Sequence, residues 1–362
     1  MLVADFNFFL PPELIAQEPL SERSASRLLR LDRTTGKLGD LSFRDFPELL
    51  RKDDLVVFNN SKVFPARLLG RRSGKNAQTI SQHNPASRSF LKGQVEVLLT
   101  RQVSTEPNEW ECLVKPGRKI GVGERLFFGD AAELRAAVLE RSSFGERRIR
   151  FDPVSDFWGW IEKLGHVPLP PYITREDQPQ DRERYQTVYA QELGSVAAPT
   201  AGLHFTPEIL TRIKKRGVET AEITLHVGLG TFQPVREERV EANILHRESY
   251  AISEEAAEKI NRASRAGRRI VAVGTTTVRA LEHAASTASG IRPGMAEADI
   301  FIFPGYRFKV VGALLTNFHL PQSTLLMLVC AFGGKDLVLA AYEHAVAAKY
   351  RFYSYGDCMF IE

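Results

Sequence analysis

Cysteine is scarce in this chain: three in 362 residues, at Cys112, Cys330 and Cys358. They are far apart, form no CxxC pair and are odd in number, which excludes a disulfide framework and points to a reducing compartment. No Cys or His pair has zinc-ligand spacing and there is no HExxH, so no metal site is expected. A G-x-S-x-G elbow is missing as well, which removes the usual signature of an α/β hydrolase. The N-terminus lacks a basic stretch followed by an apolar core, and the longest apolar run, near Leu325–Phe332, is too short to span a bilayer. A cytoplasmic protein without a membrane partner is therefore expected. Charge of one sign is not in large excess either. The net charge is +4, compatible with a nucleic-acid partner but too weak to argue one by itself. Hydrophobic content of 43% and charged content of 25% are those of an ordinary globular chain, long enough for two domains or for one domain carrying an insertion.

Gly194–Thr206 holds no charged residue other than His204 and is built almost wholly of small side chains. It has neither helical nor clean strand periodicity. Small residues let backbone N–H groups approach a ligand. Ser195, Thr200 and Thr206 add hydroxyls, and His204 adds a group that titrates near neutral pH. Thr206-Pro207-Glu208 reads as an N-cap, a proline at the first helical position and an acid in the first turn of a helix Pro207–Arg216. A tight structural turn with a satisfied histidine accounts for the stretch equally well.

Upstream, Ser24–Leu31 ends as a strand, and Leu55–Phe58 is a buried strand running into the polar Asn59-Asn60-Ser61-Lys62 and on to Arg67. From 65 to 152 the pattern changes to short β-like runs separated by turns such as Lys115-Pro116-Gly117 and Gly129-Asp130. A small antiparallel barrel is expected there, inserted into a discontinuous α/β domain of residues 1–64 and 153–362. Ser73–Gly93 is polar and aperiodic and reads as a mobile loop. Tyr185, Val188 and Tyr189 would share one face at helical spacing. Ala221–Val227 alternates as a strand and carries His226 into Gly228-Leu229-Gly230-Thr231. No third glycine or helix follows, so this is no dinucleotide fingerprint. Ser249–Ile252 and Arg269–Val273 read as strands. Gly274-Thr275-Thr276-Thr277 opens a helix without a Walker lysine and suits a phosphate or carboxylate. Asp299–Phe303 reads as a strand, Leu314–Thr324 as a strand end with Asn317 and His319, and Tyr350–Phe360 as an aromatic strand containing Asp357.

Strands thus end in polar or histidine-bearing residues at Asn59, His204, His226, Thr275 and His319. Five such ends favour a shared crevice outside a sheet over accident. An RNA-binding module would explain the basic balance but needs no such set. A methyltransferase would carry a Gly-rich loop after its first strand, and Leu55–Lys62 has no glycine.

The assembled motifs resemble the S-adenosylmethionine:tRNA ribosyltransferase-isomerase family of queuosine biosynthesis. Phe9–Gln17, Phe58–Val63, Pro65–Leu68, Ser195–Thr206, Thr224–Val235, Gly274–Glu282, Thr316–Leu326 and Tyr350–Met359 carry the resemblance, in family order over nearly the whole chain. Asn60-Ser61 stands where the family often has Asp-Thr, Gln322 where it often has Lys, and Ser73–Gly93 looks like an insertion. The resemblance implies a large α/β domain with an inserted barrel. It also implies a reaction: the ribosyl group of S-adenosylmethionine moves onto the aminomethyl group of a 7-deazaguanine at the tRNA wobble position. Rearrangement gives epoxyqueuosine, and adenine and methionine leave. S-Adenosylmethionine would be consumed rather than act as a cofactor, no metal would be needed, and a monomer is expected. Because the sulfonium acidifies C5′ and adenine leaves best when protonated, acid–base groups are required. His204, His226, His246 and His319 are the candidates, unranked. Asp357 or Glu248 would hold the sulfonium or orient a histidine. Asn59, Lys62, Arg67, Ser195, Thr200, Thr206, Thr231, Thr275, Thr276, Arg279 and Asn317 are expected to bind substrate, Arg279 through a carboxylate or phosphate.

Overall fold

A computed structural model describes residues 1–74, 93–142, 145–228, 237–243, 245, 247–287 and 290–362. Thr231, His246 and most of the 73–93 loop lie outside the described residues. The chain divides into two compact units, Met1–Lys62 with Leu169–Glu176 and Glu183–Glu362, and Val63–Pro168 with Asp177–Arg182.

The larger unit is a nine-stranded mixed sheet. Its order is Gly294–Ala298, Glu248–Ile252, Glu219–Leu225, Leu55–Asn59, Ile270–Val273, Ala313–Asn317, Cys358–Ile361, Arg27–Leu31, Leu38–Ser42. The four strands from Glu219–Leu225 to Ala313–Asn317 are parallel, while Glu248–Ile252 and Cys358–Ile361 run antiparallel to their inner neighbours. Strands buried on both faces read as continuous apolar runs, as Leu55–Asn59 and Ile270–Val273 do. Their side chains alternate between two cores. Leu55, Val57, Ala272 and Leu314 face the helices Glu254–Arg265, Thr275–Thr287, Thr324–Gly333 and Lys335–Ala347. Val56, Phe58, Val271 and Leu315 face Phe205 and the helix Pro207–Lys215. That helix starts as its sequence dictates: Thr206 Oγ1 accepts from Ile209 N at 3.3 Å.

The smaller unit is an antiparallel barrel. Arg67–Arg72, Val95–Ser104, Glu109–Lys115, Arg147–Phe151, Leu134–Arg141 and Arg125–Phe128 pair in turn, and the last closes back on the first through Gly70–Phe128. Gly70 permits that closure, since a Cβ there would lie 2.4 Å from Phe127 O. The helix Phe157–Leu164, read from sequence as the resumption of the α/β part, belongs to this unit, where Phe157 and Trp158 pack on Trp110.

Three readings need correction. Asp299–Phe303 is not a strand, although it follows the strand Gly294–Ala298 directly. Only Cys358–Ile361 of the aromatic tail is a strand; Tyr350–Asp357 turns instead, with Tyr353 at φ +70°. The helix at 181–184 stops before Tyr185, so Tyr185 and Tyr189 are buried while Val188 is exposed.

Candidate active site

Strand direction assembles one edge. The parallel strands deliver their C-terminal residues there: Asn59, His226 just past Leu225, Gly274 just past Val273, and Asn317. The reversed strands deliver their N-terminal ones: Glu248, and Asp357 just ahead of Cys358. In open α/β sheets this is the edge where ligands bind.

A cleft opens along it, with about 650 Å³ of open space, its mouth included. Gly274 (φ +91°) turns the strand Ile270–Val273 directly into the helix Thr275–Thr287, so Thr275 and Thr276 lie in the helix's first turn and not in a loop. Both line the cleft, as does Thr200. A second helix starts at the wall, where Ser323 Oγ caps it by accepting from Leu326 N at 3.2 Å. Two positive helix ends therefore meet the cleft, an arrangement that favours electron-rich ligand atoms. Tyr172 and Tyr353, ring centroids 4.6 Å apart, supply aromatic surface. Among the described residues no carboxylate lines the cleft.

His319 lines it too. Its Nε2 lies 2.8 Å from Thr316 Oγ1, and its backbone N–H donates to Tyr342 Oη at 3.0 Å. The ring is pinned through one nitrogen and the backbone, and burial holds it far below the usual imidazole range, hence neutral. Asn317 contributes an acceptor: its Nδ2 donates to Tyr353 O at 3.0 Å, and its buried Oδ1 has no partner among the described residues.

His204 is held differently. Its Nε2 lies 3.3 Å from Asn317 Nδ2 and its Nδ1 2.6 Å from Ser26 Oγ. Because Asn317 Nδ2 can only donate, the ring proton sits on Nδ1 and goes to Ser26 Oγ, which donates its own to Arg23 O at 3.2 Å. Both ring nitrogens are consumed, and burial lowers the pKa to about 4, with Arg23 and Arg351 adding to the fall.

The family model described as "Queuosine biosynthesis protein" matches residues 3–361. A curated relative from Solibacter usitatus, named S-adenosylmethionine:tRNA ribosyltransferase-isomerase, is 54% identical over all of both chains. Relatives of the same name from Citrifermentans bemidjiense and Symbiobacterium thermophilum are each 50% identical, again over all of both chains. A crystal structure of S-adenosylmethionine tRNA ribosyltransferase from Thermotoga maritima matches with a TM-score of 0.54 at 38% identity, covering 99% of this chain and all of that one. The chain belongs to the S-adenosylmethionine:tRNA ribosyltransferase-isomerase family of queuosine biosynthesis.

Of the family motif residues singled out in the sequence, Thr200, Thr275, Thr276, Asn317 and His319 share the cleft. Most of the others spend their polar atoms on the protein. Asn59 extends the sheet: its Nδ2 donates to Leu225 O and its Oδ1 accepts from Leu225 N, both at 3.0 Å. Ser195 Oγ donates to Ala197 O at 2.7 Å and accepts from Val227 N at 3.0 Å. Arg279 forms a buried ion pair with Glu248 and donates to Ala298 O at 3.2 Å. Asp357 accepts from Arg27 N and Arg351 N, both at 2.8 Å, and desolvation still raises its pKa. Thr206 is a helix cap. His226 lies against Gly194, its Nδ1 buried without a partner among the described residues, and burial lowers its pKa. Lys62 is exposed. Arg67, in the barrel unit, pairs with Asp177 at 2.9 Å. Sequence reasoning missed Tyr172, Ser323, Tyr353 and Ser354 as lining residues. Tyr172 sits in a proline-rich passage and Tyr353 in a run of aromatics, and neither pattern marks a ligand.

No helix among the described residues is long and apolar enough to cross a membrane. Among them no group of three or more His, Cys, Asp and Glu could hold a metal ion.

Proposed function

We propose that this chain transfers and isomerises the ribosyl group of S-adenosylmethionine onto the 7-aminomethyl-7-deazaguanine wobble base of tRNA. The product is epoxyqueuosine-tRNA, and adenine and methionine are released. The observation that carries this reading is the 54% identity, over all of both chains, to a relative named for the activity. S-Adenosylmethionine is then a consumed substrate, and the chain works as a monomer without a metal.

The cleft supplies what that chemistry demands. A sulfonium is drawn to aromatic faces, which Tyr172, Phe318 and Tyr353 offer in a cleft that no carboxylate lines among the described residues. The carboxylate of the methionyl part suits the first turn of Thr275–Thr287, whose Thr275 and Thr276 line the cleft. His319, kept neutral and pinned by Thr316, is the base for the acidified C5′ position. Asn317 Oδ1 accepts a hydrogen bond from the incoming amine. His204 positions Asn317 rather than touching substrate, since both its nitrogens are bonded within the protein.

Purified protein incubated with S-adenosylmethionine and tRNA carrying the deazaguanine base should release adenine and methionine in equal amounts, only when the modified tRNA is present. S-Adenosylhomocysteine instead of adenine would replace this reading with methylation.

A further inference from the structure

A second, smaller pocket shares Ser354 with the cleft and has about 290 Å³ of open space. Arg23, Arg184, Leu203, His204 and Tyr355 are half of the ten residues that line it. Arg23 and Arg184 are both half-buried, and each is held by backbone carbonyls. Arg23 donates to Leu203 O at 3.2 Å and Glu183 O at 2.7 Å; Arg184 donates to Ser21 O at 2.8 Å and Leu20 O at 2.5 Å. No carboxylate lines this pocket among the described residues. Arg184 Nε is a buried N–H group with no partner among them. Buried cationic donors left unmatched call for a ligand that completes them. The two cations also press on each other: burial and then Arg184 lower the Arg23 pKa, against Glu183 and two tyrosines.

We infer that Arg23 and Arg184 form a phosphate subsite beside the cleft, which takes one backbone phosphate of the RNA substrate. The inference rests on the tRNA reading above. Two neighbouring guanidiniums held in place by carbonyls on one pocket wall suit an oxyanion. The alternative anion, the amino-acid carboxylate of S-adenosylmethionine, brings an ammonium with it. The pocket offers that ammonium no carboxylate, and the carbonyls beside it are already bound to arginine. A phosphodiester carries no such companion charge. Ser354 lines both the pocket and the cleft, so the subsite sets how far the RNA strand enters.

The test is binding of an anticodon stem–loop RNA to the full chain across a salt series. R184Q should weaken binding about tenfold and flatten the slope of log K against log salt by about 0.7 to 0.9. R184K, which keeps the charge, should retain the slope. The KM for S-adenosylmethionine should stay within about twofold in both. A set of RNAs, each with one methylphosphonate linkage, makes the test independent of any variant's folding. With the wild-type protein one linkage should cost about the same tenfold, and R184Q should be blind to it. If no single linkage matters, or if R184Q raises the KM for S-adenosylmethionine while RNA binding is unchanged, the phosphate assignment is overturned. If the wild-type protein binds no RNA at all, the tRNA reading falls and the assignment with it.

Discussion

Two stretches of one sheet edge handle polar side chains in opposite ways. Around Thr275, Thr276, Asn317 and His319 the polar atoms line a cleft. Around Asn59, Ser195, Glu248, Arg279 and Asp357 the same kinds of atoms are consumed by neighbouring strands and loops. The two histidines show the difference most sharply. Burial depresses both, yet His319 has one nitrogen tied to Thr316 and lines the cleft, whereas His204 is bonded at both. A polar strand end is thus not in itself a site. It becomes one where its atoms also line the cleft.

The strongest test of that contrast is His319→Ala. Adenine release should fall by about 10² to 10⁴, the usual worth of a positioned acid–base group, with substrate binding and melting temperature nearly unchanged. Unchanged turnover would put His319 on the structural side. Next is Arg279→Met, which strands the Glu248 carboxylate in the interior. It should cost about 3–5 kcal/mol in denaturant unfolding, and adding Glu248→Leu should restore much of it. Restored stability with little activity would show that the pair also serves the reaction.

His204→Asn should cost stability by about 2–4 kcal/mol, through lost packing on Phe43 and lost hydrogen bonds. It also changes pH dependence. An unfolded imidazole titrates near 6.5, and His204 when folded near 4. The unfolded chain therefore binds the proton first as pH falls. The stability contribution is complete above about 6.5 and is lost as pH drops toward 4. Unfolding midpoints of the variant should decline less steeply than wild type over that window, and identical slopes would remove His204 from the account. Smallest is Thr206→Ala, which should cost about 1 kcal/mol and leave kcat alone, as befits a cap.

What could be read from the sequence was what local chemistry decides. The alternation of Glu219–Leu225, the Thr206 cap and the turn-separated barrel strands are written in adjacent residues. The cleft's existence was legible too, because polar strand ends recur at one spacing from apolar runs. Which of those ends serve the cleft was not. Asn59 is taken up by Leu225, 166 positions away, and Asp357 by Arg27, 330 positions away. The same long-range bonds explain the tail: Asp357 ties Arg351 N and Arg27 N together, so Tyr350–Asp357 turns where its aromatic alternation suggests a strand.

The strand Cys358–Ile361 lies between Ala313–Asn317 and Arg27–Leu31. During synthesis the hairpin of Arg27–Leu31 and Leu38–Ser42 emerges early, yet among the described residues it joins the sheet through a strand made more than 300 residues later. Until then both it and Ala313–Asn317 present open edges, and Ser26 and Asp357 cannot stand beside Asn317. The order of translation therefore makes the cleft one of the last things this chain completes, and a nascent chain short of residue 358 carries two strands with an open edge each that invite association.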